Sequence, residues 1–291
     1  MRPVAQQEPP LDEELTDTNG SLDVLKTNQM LERIFSRSNI FENQLGEAPA
    51  VISCPNCDHP ANKDIEESWR QKRVVHICNN CAENTRQQKI GAAIERAGIP
   101  TDVREATIEN FAVNRPGVVT GTGFQTPEQF RSAAIRFKEK GKRNLILGGT
   151  VGIGKGHLAA ALAIHFISQG WKVAWIECSR LFRDYHAAYK TNSNEEMADR
   201  LGTVGLLVLD EICLRDMPAD GEEILFSILD RRHKDSKPTI LLSNKPAIEV
   251  KKWLGDRITD RLRSGGVIFA YGEWQSMRGT TADGATQEEG F

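Results

Sequence analysis

The sequence predicts an α/β fold in which a parallel sheet is covered by helices on both faces. Three observations carry that prediction. From Asn144 onward, short apolar runs alternate with helical patterns; the runs are Asn144–Leu147, Lys172–Glu177, Gly205–Leu209, Thr239–Leu242 and Val267–Tyr271. Strands spaced by helices form parallel sheets, and strands buried on both faces read as continuous apolar stretches. The first run enters a glycine-rich turn and then a strong helix former, in the order Leu145-Ile-Leu-Gly-Gly-Thr-Val-Gly-Ile-Gly-Lys-Gly-His-Leu-Ala-Ala. The third continues into two carboxylates, Leu206-Leu-Val-Leu-Asp-Glu-Ile212.

Length and composition bound the rest. The chain has 291 residues, 39% hydrophobic and 26% charged, enough for one full-sized domain and one or two small pieces. Net charge is −3 and is unevenly spread. Residues 1–53 carry nine acidic and four basic side chains, and residues 279–291 carry three acidic and none basic. The middle is therefore weakly basic, compatible with a polyanion or with an ordinary mixed surface. No secretory signal is visible, and the most apolar helical stretch, Leu158–Ile167, contains His165 and is too short to span a bilayer. A cytoplasmic location and no membrane partner are expected. In that compartment six cysteines point to thiols or metal and away from disulfides.

In chain order, residues 1–20 are rich in Pro, Glu, Gln, Asp and Thr and are expected to be disordered. Ser21 can cap a short amphipathic helix in which Leu22, Leu25, Met30, Leu31, Ile34 and Phe35 recur with helical spacing. That helix either packs on a neighbour or is offered to a partner. Cys54-Pro-Asn-Cys57 and Cys78-Asn-Asn-Cys81 follow, with twenty residues between the pairs. Two such turns aim four thiolates at one point and suit a closed, structural zinc ion; His59 and His76 lie nearby as alternative ligands. A linking helix is expected over 82–97, a loop over 112–125, and a helix from Thr126-Pro-Glu-Gln to about Lys140. The expected domains are 1–49, a disordered tail with a partner-binding helix; 50–97, the zinc module and linking helix; 98–278, the main domain; and 279–291, a loose acidic tail.

The chemistry is concentrated in the glycine turn and the strand ends. Gly149, Thr150, Val151, Gly152, Ile153, Gly154 and Lys155 fit a phosphate-cradling loop, G-x-x-x-x-G-K. Backbone N–H groups converge on a phosphate there, and the helix N-terminus adds a favourable dipole. The pattern calls next for a Ser or Thr hydroxyl to bind magnesium, and this chain has Gly156 followed by His157. Water can take the missing place, because magnesium keeps several waters. Asp210 is the expected magnesium ligand and Glu211 the base that polarises an attacking water. Asn244, at the end of Thr239-Ile-Leu-Leu-Ser-Asn, could touch the terminal phosphate or that water. After the second strand, Phe182, Tyr185 and Tyr189 share one helical face near Arg180, Arg183 and Lys190, a pattern of core packing and also of base stacking. Arg231-Arg-His-Lys-Asp-Ser-Lys237 is a second basic patch, a candidate for DNA contact or simply a solvated helix end.

Gly-Lys-Gly-His-Leu-Ala-Ala-Ala (154–161), the 206–212 strand, Asp-Arg-Arg (230–232), Leu-Gly-Asp-Arg-Ile-Thr-Asp-Arg-Leu-Arg (254–263) and Trp-Gln-Ser-Met-Arg (274–278) together resemble the DnaC-type replicative helicase loaders. These are AAA+ ATPases related to DnaA and to IstB-type transposition helpers. The resemblance covers about 98–278, and the cysteine module fits the related DnaI-type arrangement. It implies a five-stranded sheet, ATP with Mg2+, single-stranded DNA contact and delivery of a ring helicase. Carried onto matching positions, it makes Arg261 an arginine finger reaching a neighbouring subunit and Arg278 a second sensor arginine within the same subunit. Arg257 and Arg263 flank the finger. A finger acting in trans implies self-association through the ATP site. Ile99, Pro100 and Phe111 match the approach to the base pocket, or simply pack. Gly156 makes slow, partner-stimulated hydrolysis the expectation. An IstB-like helper and a non-hydrolysing nucleotide-binding adaptor remain as alternatives.

Overall fold

The computed structural model describes Cys57 and residues 65–68, 73–76, 78–139 and 144–276. The expected helix near residues 21–35, together with Cys54, His59 and Arg278, lies outside them. The chain divides into two units, Met1–Ala82 and Glu83–Phe291.

In the first unit, β1 (Ile65–Ser68) and β2 (Arg73–His76) pair antiparallel. This hairpin occupies the stretch between the two cysteine pairs. Its residues are mostly polar and carry no clear apolar alternation, so the pairing is not legible in the sequence. Helix α1 (Asn79–Ala97) begins directly after Cys78 and runs on into the second unit.

The second unit opens with a 3-10 turn, Thr101–Val103, and α2 (Pro127–Glu139). Thr126 Oγ1 accepts the Gln129 N–H at 3.3 Å while Gln129 Oε1 accepts the Thr126 N–H at 3.0 Å, a reciprocal cap that fixes the start of α2. Strands and helices then alternate: β3 (Asn144–Gly149), α3 (Lys155–Ser168), β4 (Val173–Glu177), α4 (Cys178–Tyr189), α5 (Asn194–Thr203), β5 (Leu206–Ile212), α6 (Gly221–Lys234), β6 (Thr239–Ser243), α7 (Ala247–Ser264) and β7 (Val267–Gly272). The five strands lie in the order β4-β5-β6-β3-β7, and every neighbouring pair is parallel. β6 therefore sits between the strand that enters the glycine turn and the strand that ends in Asp210 and Glu211, as expected.

Each central strand splits its side chains between two cores. Leu145, Leu147, Leu206, Val208, Ile240 and Leu242 join Phe130, Phe137, Leu158 and Leu162 from α2 and α3. Ile146, Leu207, Leu209 and Leu241 join Leu181, Leu225, Ile228 and Ile258 from α4, α6 and α7. Burial on both faces explains the unbroken apolar runs. Four buried alanines on α3, Ala159, Ala160, Ala161 and Ala163, let that helix lie close to the sheet and carry its N-terminus to the end of β3.

Burial decides between the readings of two stretches. Phe182 and Tyr185 are buried in the second core, so the aromatic row on α4 is packing and offers no stacking platform; only Tyr189, at its end, is half exposed. The basic helix end is not wholly solvated. Arg232 is 1% exposed and donates from Nε to Thr239 Oγ1 at 2.9 Å and from Nη1 to the Leu201 and Val204 carbonyls, each at 2.8 Å. Its Nη2 donates to the Pro238 carbonyl. Burial lowers the guanidinium pKa to about 9, which leaves it charged at neutral pH.

Candidate nucleotide site

β3 ends at Gly149 and α3 begins at Lys155, so residues 150–154 form the turn between them. Gly154 caps α3 with φ 98°, a left-handed conformation that suits glycine. A Cβ there would also meet Phe111 Cε2 at 2.6 Å. Ile153 is fully buried beneath the turn, whereas Val151 at its tip is 55% exposed. The Lys155 ammonium donates to the carbonyls of Gly149 at 2.8 Å and Thr150 at 2.7 Å, which holds it across the turn.

Two side chains brace the turn without belonging to it. Trp274 Nε1–H donates to the Ile153 carbonyl at 3.2 Å, and the indole packs edge-on against Phe130, 5.4 Å between centroids. Phe111 is 2% exposed and fills the space beneath Gly154. Of the three residues expected near a base pocket, Ile99 and Phe111 are therefore core, and Pro100 is exposed. His157 meets the Thr107 carbonyl through Nε2 at 3.0 Å. That carbonyl is held in a turn where Thr107 and Asn110 exchange hydrogen bonds of 2.8 and 3.0 Å. Burial lowers the His157 pKa, with the Thr107 bond opposing and Arg115 adding, so the neutral ring donates its Nε2–H.

The carboxylates stand at an irregularity in β5. Leu209 pairs with Leu241 and Ile212 with Ser243, so Asp210 and Glu211 together oppose one residue of β6. Such a bulge re-aims side chains at a strand end. Glu211 has φ 55° and its N–H donates to Asp210 Oδ1 at 2.8 Å. Burial pushes the Asp210 carboxyl above the ordinary carboxylate range; the Glu211 N–H pulls it down, Glu211's charge pushes it up, and Lys155 pulls it down. Lys155 and Asp210 thus act on each other across the end of the sheet. Gly148 is in register with Ser243, so Asn244 stands exposed one residue beyond, level with the start of the turn. A Cβ at Gly156 would meet nothing within 4 Å.

Arg261 is not displayed alone. Its Nε donates to Asp230 Oδ1 at 2.7 Å and its Nη1 to Asp260 Oδ2 at 3.1 Å. Lys234 pairs with the same Asp230 at 2.6 Å, and these hydrogen bonds hold the Asp230 carboxyl below its usual range. Inside α7, Gly255 breaks the helix with φ 78° and ψ 165°, so the half bearing Arg257 and Arg261 takes a new direction. Arg257 is exposed and lies over the Phe226 ring at 4.0 Å.

In the first unit, Cys57, Cys78 and Cys81 bring their sulfurs within 4.8 Å of one another, with Cys57 3.3 Å from each of the other two. Tetrahedral zinc thiolates lie roughly 3.8 Å apart, so this donor set fits such an ion. Cys78 precedes α1, and its carbonyl accepts the Ala82 N–H at 2.9 Å as the helix starts.

A five-stranded parallel sheet of this order, a glycine turn ending in lysine on a helix N-terminus, and an acidic pair two strands away give the second unit the architecture of a P-loop nucleotide-binding core. Residues 126–263 match the family described as IstB-like ATP binding protein. The chain is 28% identical over 226 residues to the replicative helicase loader DnaC of Escherichia coli strain K12, covering 75% of this chain and 89% of that protein. It is 26% identical over 217 residues to the DnaC of Buchnera aphidicola subsp. Schizaphis graminum, covering 72% and 85%. It is also similar to the crystal structure of DnaI, at 21% identity and TM-score 0.49 over 60% of this chain and 94% of that one. Among proteins with such a core, the chain is similar to the DnaC-type replicative helicase loaders. Among the described residues no helix is long and apolar enough to cross a membrane.

Proposed function

We propose that this chain is an ATP-dependent loader that delivers a replicative ring helicase onto single-stranded DNA in a bacterial cytoplasm. The observation that carries the ATP half is the glycine turn itself, whose Gly149 and Thr150 carbonyls hold the Lys155 ammonium at 2.8 and 2.7 Å at the same end of the sheet as the largely buried Asp210 carboxyl. The turn's N–H groups and the N-terminus of α3 would hold the phosphates. Asp210 would hold magnesium, whose part is to neutralise phosphate charge, and the open space at Gly156 leaves room for water in place of a hydroxyl. Glu211 orients and deprotonates the attacking water, and Asn244 steadies it. Arg261 serves a neighbour's phosphate once it leaves Asp230, so ATP binding favours self-association. Arg278 is assigned to the phosphate of its own subunit. Hydrolysis is slow until partners assemble.

The similarity to DnaC loaders supports the partner half. On this reading residues 1–49 offer a helix to the helicase, residues 50–97 form a zinc module held by Cys54, Cys57, Cys78 and Cys81, and residues 98–278 are the ATPase. The match to an IstB-like family keeps a transposition helper as the second reading. The test is capture of a replicative helicase by the full chain with and without ATP, followed by loading onto a primed single strand. The loader reading expects capture, and it expects Lys155→Ala and Glu211→Gln to abolish loading. Loading at the full rate by both variants would overturn the mechanism, and capture of a transposase in place of the helicase would favour the helper.

A further inference from the structure

We propose that the end of the sheet opposite the phosphate loop carries a contact for single-stranded nucleic acid, built on the Trp171 indole and the cations around it. The proposal deepens the DNA contact of the loader reading and rests on it.

Trp171 stands in the turn between α3 and β4 and is 42% exposed. It is nonetheless fixed. Its N–H donates to the Phe166 carbonyl at 3.0 Å, and its ring packs on the Phe166 ring with centroids 4.9 Å apart. A Cβ at Gly205 would lie 3.2 Å from its Cε3, so the ring also rests against the chain entering β5. The ring is thus held in place while part of the side chain stays exposed.

Two cavities meet at this ring, of about 940 and 520 Å³. The smaller is lined by Lys172, Arg200 and Lys237, and no carboxylate lines it. The larger adds Arg86 and Arg96 from α1. Its three carboxylates, Glu177, Asp184 and Asp210, stand at or beyond the far ends of β4 and β5. Lys172 precedes β4, Gly205 precedes β5 and Lys237 precedes β6. Lys172, Arg200 and Lys237 therefore gather at the starts of the strands, whereas Arg180, which also lines the larger cavity, and the phosphate turn lie at their finishes, about 16 Å away for a strand of this length. A pre-formed aromatic face ringed by cations matches a single strand, whose bases stack while its phosphates meet positive charge. An acidic protein segment would use the cations but has no general need of the open indole.

The test is anisotropy of a labelled oligothymidylate with the full chain and ATP, over a range of KCl. Lys172 and Arg200 are exposed, so Lys172→Ala with Arg200→Ala should leave the fold intact, checked by circular dichroism. The double variant is expected to bind roughly tenfold more weakly, with a log–log salt slope shallower by about 1.4, the value for two lost phosphate contacts on a single strand. Trp171→Leu is expected to weaken binding severalfold while leaving the slope unchanged, because it removes stacking and no charge. A double variant with the wild-type affinity and slope overturns this site and leaves the loader reading standing. Failure of the wild-type chain to bind the oligonucleotide overturns both the site and the loader's DNA contact. Normal DNA binding with lost helicase capture would make the groove a protein surface and overturn the proposal.

Discussion

At the phosphate turn, the residue after Lys155 is a glycine in open space, so a hydroxyl-bearing side chain can be added without displacing a neighbour. Gly156→Thr should fold normally and raise ATP turnover severalfold, with half-maximal activity at lower magnesium; identical magnesium titrations for the two proteins would show the hydroxyl to be irrelevant. Asp210 makes the opposite kind of prediction. Its pKa is raised on folding, so its contribution to stability is present below the ordinary carboxylate range and is lost as pH rises through the raised value. Asp210→Asn should therefore unfold at higher urea than wild type at pH 8, with the gap narrowing on acidification, while magnesium-dependent turnover disappears. The turn and both acids are legible in the sequence because backbone chemistry demands glycine there and a strand end demands its own residue type. Phe111, Thr107 and Trp274 are not legible as supports of the turn, because their partners lie 43, 50 and 121 residues away and nothing local marks them.

Elements show a similar division. The order of the second unit follows from periodicity, and the five strands of its sheet, α1 and α2 fall within a few residues of the expected bounds. What periodicity misses is a cation used as a tie. Arg232 joins α6 to the chain entering β5 and β6 by donating to the carbonyls of Leu201, Val204 and Pro238. Read along the helix it is one of four basic residues in the last turn, and only the fold turns it inward. Arg232→Ala should cost about 3–5 kcal/mol in urea unfolding, since it leaves buried carbonyls unsatisfied and a void. The kinked second half of α7 makes a separate prediction. Arg261→Ala should keep ATP affinity and lose turnover in the assembled state, as measured by nucleotide binding and by phosphate release with helicase present. Asp230, its partner, has a lowered pKa, so the stability it contributes is present above the ordinary carboxylate range and fades as pH falls through the lowered value; Asp230→Asn should remove that acid sensitivity.

At the scale of the molecule, the two units rest on different chemistry. The second has two hydrophobic cores and a ladder of parallel strands. The first has a short hairpin and a cluster of thiols, the kind of small unit that metal usually completes. Chelation, or Cys57→Ser, should release one zinc per chain and abolish helicase capture while ATP affinity stays unchanged; loss of both together would mean the metal supports the ATPase as well. The cysteine spacing made the gathering of Cys57, Cys78 and Cys81 legible before any fold was known. The Trp171 face was not, because its cations come from four separate stretches of chain that only the sheet brings together. Trp274 carries a further consequence. It follows the last strand and hangs its indole on the Ile153 carbonyl, so the segment after β7 acts as a strut for a turn formed more than a hundred residues earlier. A chain shortened to end at Gly272 would keep every residue of the turn and still hold nucleotide poorly, and anything that pulls on that segment from outside would loosen the grip on ATP.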